Sequence, residues 1–394
     1  MIPYGKHHLD QSDINAVIKA LKKPFLTQGP TVESLEKKFV KLVGAKYAVA
    51  VSSCTAGLHI AGIAAGLKPK QTLLTSAITF VSSPNSAIFS GADVIFADVD
   101  KNDININPNT ILRSIKKNKS KKIKVIMPVH FAGSPCDMKE IKKIAIKQNS
   151  VVVEDAAHAL GSKYKCGSYV GSCKYSLMTV FSLHPVKTIS AGEGGIVTTN
   201  NFEVYKKLLR LRSHGINKSN DQLLNLKFSK TKNIANPWYY EMQEIGFNYR
   251  ITDFQCALAI SQMKKLEKFL KKRKKLAYKY DQYFKSSNKI TSLQTETRKL
   301  SGHHIYPVNI DFQRTKLSRA EIMIKLRKNK IITQVHYIPI PIHPFYKKKG
   351  YKENDYPNAM NYYNQALTLP LYYDLNFKQQ KYIIDTLNKL IIMK

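Results

Sequence analysis

Short apolar runs alternate with longer stretches in which apolar side chains recur every three or four positions, up to about residue 211. The runs predict strands at 47–51, 72–75, 94–97, 125–129, 151–154 and 176–181. The periodic stretches predict helices at 14–21, 32–42, 56–65, 84–89, 111–115, 138–148 and 202–211. Strands alternating with helices of this length predict an α/β fold with a largely parallel sheet, whose ligands sit beyond the carboxyl ends of the strands. From 252 to about 284 the helical period continues unbroken through Phe254, Leu258, Met263, Leu266 and Phe269, long enough to bridge two domains. Beyond it, strands at 305–310 and 331–337 and helices at 319–326 and 379–391 predict a smaller α/β layer. The expected division is 1–252 for a large domain and 253–394 for a small one.

The chain has 394 residues, 43% of them hydrophobic, which excludes a disordered or collagen-like chain. No run of about 18 apolar residues suggests a membrane span. The polar start lacks the apolar core of a signal peptide, so a cytoplasmic protein is expected. Five cysteines, widely spaced and without a C-x-x-C pair, suggest neither a disulfide framework nor a metal site. The net charge of +36 raises nucleic-acid binding. The lysines are spread along the chain without a nucleic-acid-binding motif, so solvated lysine-rich faces are expected instead. Their field would still attract an anionic small substrate.

Two windows depart from this charge density. Between Tyr175 and Tyr205 there is one basic residue, Lys187, in a Gly-rich stretch after a strand. Burial there would lower its pKa and make a nucleophilic amine suited to a Schiff base. A lysine whose amine reaches solvent from a strand end is the competing reading. The window from Tyr47 to Leu67 holds no charged residue and runs strand, Ser52-Ser53-Cys54-Thr55-Ala56-Gly57, helix. Small hydroxyl residues at a helix start can cradle a phosphate, and they are equally common as ordinary N-caps. A third feature is Glu154-Asp155-Ala156-Ala157-His158 after a β-branched run. An Asp in that place can hold the proton of a pyridinium ring, or simply cap the next segment. Together the three supply an amine, a phosphate cradle and an acid for a ring nitrogen, the parts that hold pyridoxal phosphate (PLP).

Ser182-Leu183-His184-Pro185-Val186-Lys187-Thr188, followed by Gly192-Glu193-Gly194-Gly195, resembles the lysine motif of the PLP-dependent nucleotide-sugar aminotransferases, the DegT/DnrJ/EryC1/StrS family. Phe25 to Pro30, Ser53 to Leu58, Thr75 to Val81, Phe247 to Asp253, Gln334 to Tyr337 and Ala366 to Pro370 extend the resemblance over nearly the whole chain. It implies PLP fold type I, with a large mixed-sheet α/β/α domain and a smaller C-terminal α/β domain. It implies Lys187 as the Schiff-base and proton-shuttling lysine. Asp155 would pair with the pyridine nitrogen, His158 would flank the ring, and Phe80 would stack on it. Ser53, Thr55, Ala56 (through its N–H) and Ser182 would face the phosphate or substrate, with Asn248 reaching the cofactor of a partner subunit. Tyr4, Thr27, Gln334, Val335, His336 and Tyr337 would line the sugar pocket. Ala77 and Leu183 stand where the family often has Pro and Phe, which reads as a packing change.

The stretch from Pro237 to Gln243 and the run Thr333 to Tyr337 resemble the branch of the family in pseudaminic acid synthesis. That implies a UDP-4-keto-6-deoxy-N-acetyl-hexosamine substrate, L-glutamate as amino donor, and a homodimer with shared active sites, binding neither nucleic acid nor membrane. Perosamine-type and 4-amino-4-deoxy-arabinose-type enzymes of the family, and a non-catalytic basic binding protein, are the alternatives. The related dehydratases carry His in place of the lysine, and Lys187 argues against them.

Overall fold

A computed structural model describes residues 1–218, 223–294 and 296–392. Its centre is a seven-stranded sheet: β1 (Tyr47–Val51), β2 (Thr72–Ser76), β3 (Asp93–Ala97), β4 (Ile123–Met127), β5 (Val151–Asp155), β6 (Met178–Ser182) and β7 (Gly195–Thr199). Their spatial order is β1-β7-β6-β5-β4-β2-β3. Within this sheet β7 alone runs against its neighbours.

The strands read as unbroken apolar runs because both faces are covered. Val49, Val125, Val153 and Val180 point into one core with helices Cys54–Ala64, Ser82–Phe89 and Phe202–Arg212. Ala50, Ile126, Val152 and Phe181 point into the opposite core, with helices Pro30–Val43, Met138–Lys147 and Asp253–Met263. Alternate residues of each strand thus serve alternate layers.

A second, antiparallel sheet orders β8 (Ile290–Ser292), β9 (Tyr306–Ile310) and β10 (Ala366–Leu369) as β8-β9-β10. Its own core takes Leu276 and Tyr280 from one helix and Ile383 and Leu387 from the last. Among the described residues, no helix is long and apolar enough to cross a membrane.

Several expectations differ from the structure. The helix predicted over 252–284 is two, Asp253–Met263 and Leu266–Phe284, parted at Lys264–Lys265. The first packs on the large sheet's helices. The second starts there, with Leu266 and Phe269, and ends in the other core with Leu276 and Tyr280. Apolar period alone cannot register that change of partner. The segment 331–337 is not a strand; it makes single bridges from Ile331 to Ile2 and from Gln334 to Thr368. Strands β7, β8 and β10 were not among the strands the apolar pattern predicts.

Candidate active site

Five chain segments meet at one end of the large sheet, beyond the carboxyl ends of its parallel strands. β1 leads into Ser53, whose Oγ accepts the N–H of Ala56 at 3.1 Å and starts helix Cys54–Ala64. β2 leads through Thr79 and Phe80 to helix Ser82–Phe89. Thr55 Oγ1 and Ser82 Oγ lie 2.8 Å apart, tying these two helix starts together. β5 ends on Asp155, and β6 ends on Ser182 before the turn to Lys187. β7 begins here with Gly195, which pairs with both Val51 and Ser182. A Cβ on Gly195 would stand 2.6 Å from the backbone O of Ser53, so only glycine allows the strand to approach that turn so closely.

Between these segments lies a cavity of about 610 Å³. The structure brings Ser53, Thr55, Phe80, Asp155, His158, Ser182 and Lys187 onto its wall, and Tyr4, Gln334, Val335, His336 and Tyr337 onto the same wall. Ala56 does not reach it; its N–H is spent on the Ser53 side chain. Thr27, bridged to Thr252, and Asn248, bridged to Ser213, are likewise off the cavity of this single chain.

Lys187 is the electrostatic centre. Among the described residues its amine forms no ion pair, and its Nζ lies 3.4 Å from Nε2 of His304. Burial pushes its pKa down to about 8, against the opposing pull of Cys54 and Asp155. Asp155 is buried, with Oδ2 accepting from Ser83 Oγ at 2.6 Å and Oδ1 from the N–H of Ala157 at 3.0 Å. Thr79 Oγ1 lies 2.8 Å from that same Ser83 oxygen.

His158 sits beside this carboxylate with both ring nitrogens engaged. Nδ1 accepts the N–H of Ala132 at 3.3 Å, and Nε2 lies 3.0 Å from the Tyr337 hydroxyl. An accepting Nδ1 leaves the proton on Nε2, so His158 donates to Tyr337. Burial, then the charge of Lys187, then His336 hold its pKa well below the usual histidine range. Burial and Lys187 push His336 down to about 3. The imidazoles are therefore neutral at physiological pH. Phe80, by contrast, is 57% exposed and stands on the wall with its ring free for a planar ligand.

Ser83 and His304 belong to the site and escaped sequence reasoning; Cys54, inside the charge-free turn, was given no role of its own. Ser83 and His304 carry no local signal, since each acts through a residue far away in sequence.

The chemistry of the donor set matches PLP: an amine outside the ion pairs of the described residues, a carboxylate fixed by two hydrogen bonds, hydroxyls at a helix start, and an exposed aromatic ring. The DegT/DnrJ/EryC1/StrS aminotransferase family matches residues 7–388. The UDP-4-amino-4,6-dideoxy-N-acetyl-beta-L-altrosamine transaminase of Campylobacter jejuni strain 81-176 is 38% identical over 387 residues, 98% of this chain and 96% of that protein. Helicobacter pylori PseC, an aminotransferase involved in the biosynthesis of pseudoaminic acid, superposes with a TM-score of 0.87 at 28% identity, covering 99% of each chain. The sugar aminotransferase Spr1654 of Streptococcus pneumoniae, solved in PMP and PLP forms, superposes with TM-scores of 0.87 and 0.86 at 26% identity. These superpositions cover 99% of this chain and 99% and 98% of the Spr1654 chains. With 382 of its residues matched, counted from 7 to 388, the chain belongs to the DegT/DnrJ/EryC1/StrS aminotransferase family.

Proposed function

We propose that the protein is a PLP-dependent aminotransferase that places an amino group on C4 of a UDP-4-keto-6-deoxy-N-acetyl-hexosamine, with L-glutamate as donor. The product would enter pseudaminic acid synthesis in the cytoplasm. The observation that carries the chemistry is the half-buried Lys187, whose amine forms no ion pair among the described residues, on the same cavity wall as Asp155. The substrate class rests on the Campylobacter and Helicobacter relatives and on the run Gln334 to Tyr337 at the cavity.

When bound, PLP supplies an electron sink for the carbon whose C–H bond is broken. Lys187 would hold the cofactor and, when free, would carry the proton at Nζ. Asp155 would hold the ring nitrogen through a charge-assisted hydrogen bond, with Ser83 and Ala157 fixing its oxygens. Ser53, Thr55 and Ser182 would hold the phosphate. Phe80 would stack on the ring, and His158, neutral and donating, orients the Tyr337 hydroxyl. The chain's +36 charge draws the UDP moiety in.

Thr27 and Asn248 complete the site of a partner subunit in this reading. It is supported by the exposed apolar side chains of Ile234, Trp238 and Ile245, from 72% to 76% accessible in the single chain.

Purified protein is mixed with PLP, glutamate and UDP-2-acetamido-2,6-dideoxy-β-L-arabino-hex-4-ulose, and the sugar product is identified by mass and NMR. A 4-amino product that Lys187→Ala does not form supports the reading. Visible cofactor absorbance that responds to glutamate, without amination of this sugar, removes the sugar and keeps the aminotransferase. Failure to bind PLP removes both.

A further inference from the structure

The segment that enters β9 carries a residue to which the proposed reaction gives no task. His304 is 4% exposed. Its N–H donates to the Ala132 carbonyl at 3.1 Å, and its own carbonyl accepts from the Arg273 guanidinium at 2.9 Å. The backbone is thus held on both sides. The ring lies 4.4 Å from that of His158, centroid to centroid, and Nε2 lies 3.4 Å from Lys187 Nζ. Its Nδ1 is buried without a hydrogen-bond partner. A buried polar ring left half-satisfied, on a backbone pinned this firmly, calls for a function at its other nitrogen.

Lys187 supplies one. A lysine that alternates between a covalent bond and a free amine has a long, flexible stem with room to leave the reacting carbon. It needs a second resting place inside the cavity. A carboxylate would hold it there as an ammonium and remove its basicity. A neutral imidazole holds it by a hydrogen bond and adds no charge. We propose that His304 is a positioning residue, whose Nε2 holds the Lys187 amine in the cavity whenever that amine is not bonded to the cofactor. This rests on the aminotransferase reading of the site. The groups that face the amine are Cys54 and Asp155, which favour its protonation, and the imidazoles of His158, His304 and His336. Burial is the dominant cause that keeps these three rings neutral.

The test uses cofactor-free protein. Lys187 is labelled with acetic anhydride across a pH series, and its peptide is quantified by mass spectrometry in wild type, His304→Leu, His304→Ala and His304→Gln. The wild-type midpoint is expected near 8, where burial places the amine. The Leu and Ala variants, which lack a polar partner, should move it by about half a pH unit or more. Gln, which keeps a donor and an acceptor, should lie nearer wild type. In the loaded enzyme, kcat should fall about tenfold in Leu and Ala while KM for both substrates changes less than about twofold, the split expected of a residue that acts on the lysine rather than on binding. A midpoint that stays at the wild-type value in Leu and Ala overturns the proposal, as does a Gln variant displaced as far as they are. Two apolar variants of different size guard against one failing to fold. A wild type that shows the labelling midpoint but aminates no keto-sugar counts against the substrate assignment and leaves His304 standing.

Discussion

The hydroxyl of Ser83 donates to Oδ2 of Asp155 across 2.6 Å, from the first turn of helix Ser82–Phe89 to the end of β5. Both residues are buried, and the second carboxylate oxygen is held by the N–H of Ala157. The carboxylate therefore has a fixed orientation before any ligand arrives, which is how an acid on a rigid strand can be aimed at one ring atom.

Removing that donor tests the arrangement. Ser83→Ala leaves Asp155 with one fixed hydrogen bond instead of two. A hydrogen bond to a charged group contributes about 1.5–3 kcal/mol. Part of that returns through the cofactor itself, so PLP affinity should weaken about tenfold. Titration of cofactor-free protein by visible absorbance measures it, and an unchanged affinity would show that Ser83 does not orient the carboxylate.

The lysine makes a pH prediction with a definite sign. Its pKa is lowered from 10.5 to about 8 by burial, so the neutral, nucleophilic amine becomes the major form above about pH 8. Below that value each pH unit removes about nine-tenths of what remains. The rate at which cofactor-free protein captures PLP should rise about tenfold per unit up to pH 8 and then level. A rise that continued toward pH 10 would mean an exposed, ordinary lysine.

Gly195 offers a backbone test. A Cβ there would meet Ser53 O at 2.6 Å and Cys54 N at 2.8 Å, both main-chain atoms that cannot rotate away. Gly195→Ala should cost about 1–3 kcal/mol in denaturant unfolding. It should also weaken cofactor binding out of proportion, because the displaced turn is the one that would hold the phosphate. Loss of stability with full cofactor affinity would separate the turn from the phosphate site.

Arg273 links the second sheet to the site without touching the cavity. It is 2% exposed and donates to the carbonyls of His304 at 2.9 Å and Leu371 at 3.0 Å. Burial lowers its pKa to about 10, and among the described residues no carboxylate pairs with it. Arg273→Met fills similar space and strands both carbonyls, at a cost of about 2–4 kcal/mol. Guanidinium unfolding checks this; a stability within ~0.5 kcal/mol of wild type would mean the carbonyls find other donors.

Six of the seven strands of the large sheet could be read from the chain because a strand buried on both faces is mostly apolar, as Val151-Val152-Val153 is. β7 escaped because Gly195-Ile196-Val197-Thr198-Thr199 has only two apolar side chains and follows a Gly-rich turn that reads as loop. The continuous helical period across 252–284 hid a break, since the two helices part at Lys264 and Lys265 while the spacing of the apolar residues runs on.

The amino-acid sequence by itself determined which residues must be buried, which turns must open helices, and that an isolated lysine, an Asp after a β-branched run and a charge-free turn carry the candidate chemistry. These are local properties, written in residue type and spacing. The tertiary structure alone decided that Ser83 turns Asp155, that Ala132 selects the proton of His158, and that His304 arrives from the second sheet beside Lys187. Those partners stand 72, 26 and 117 positions apart. A hydrogen bond depends on distances of about 3 Å, which only the packing of whole layers against one another can set between such distant residues.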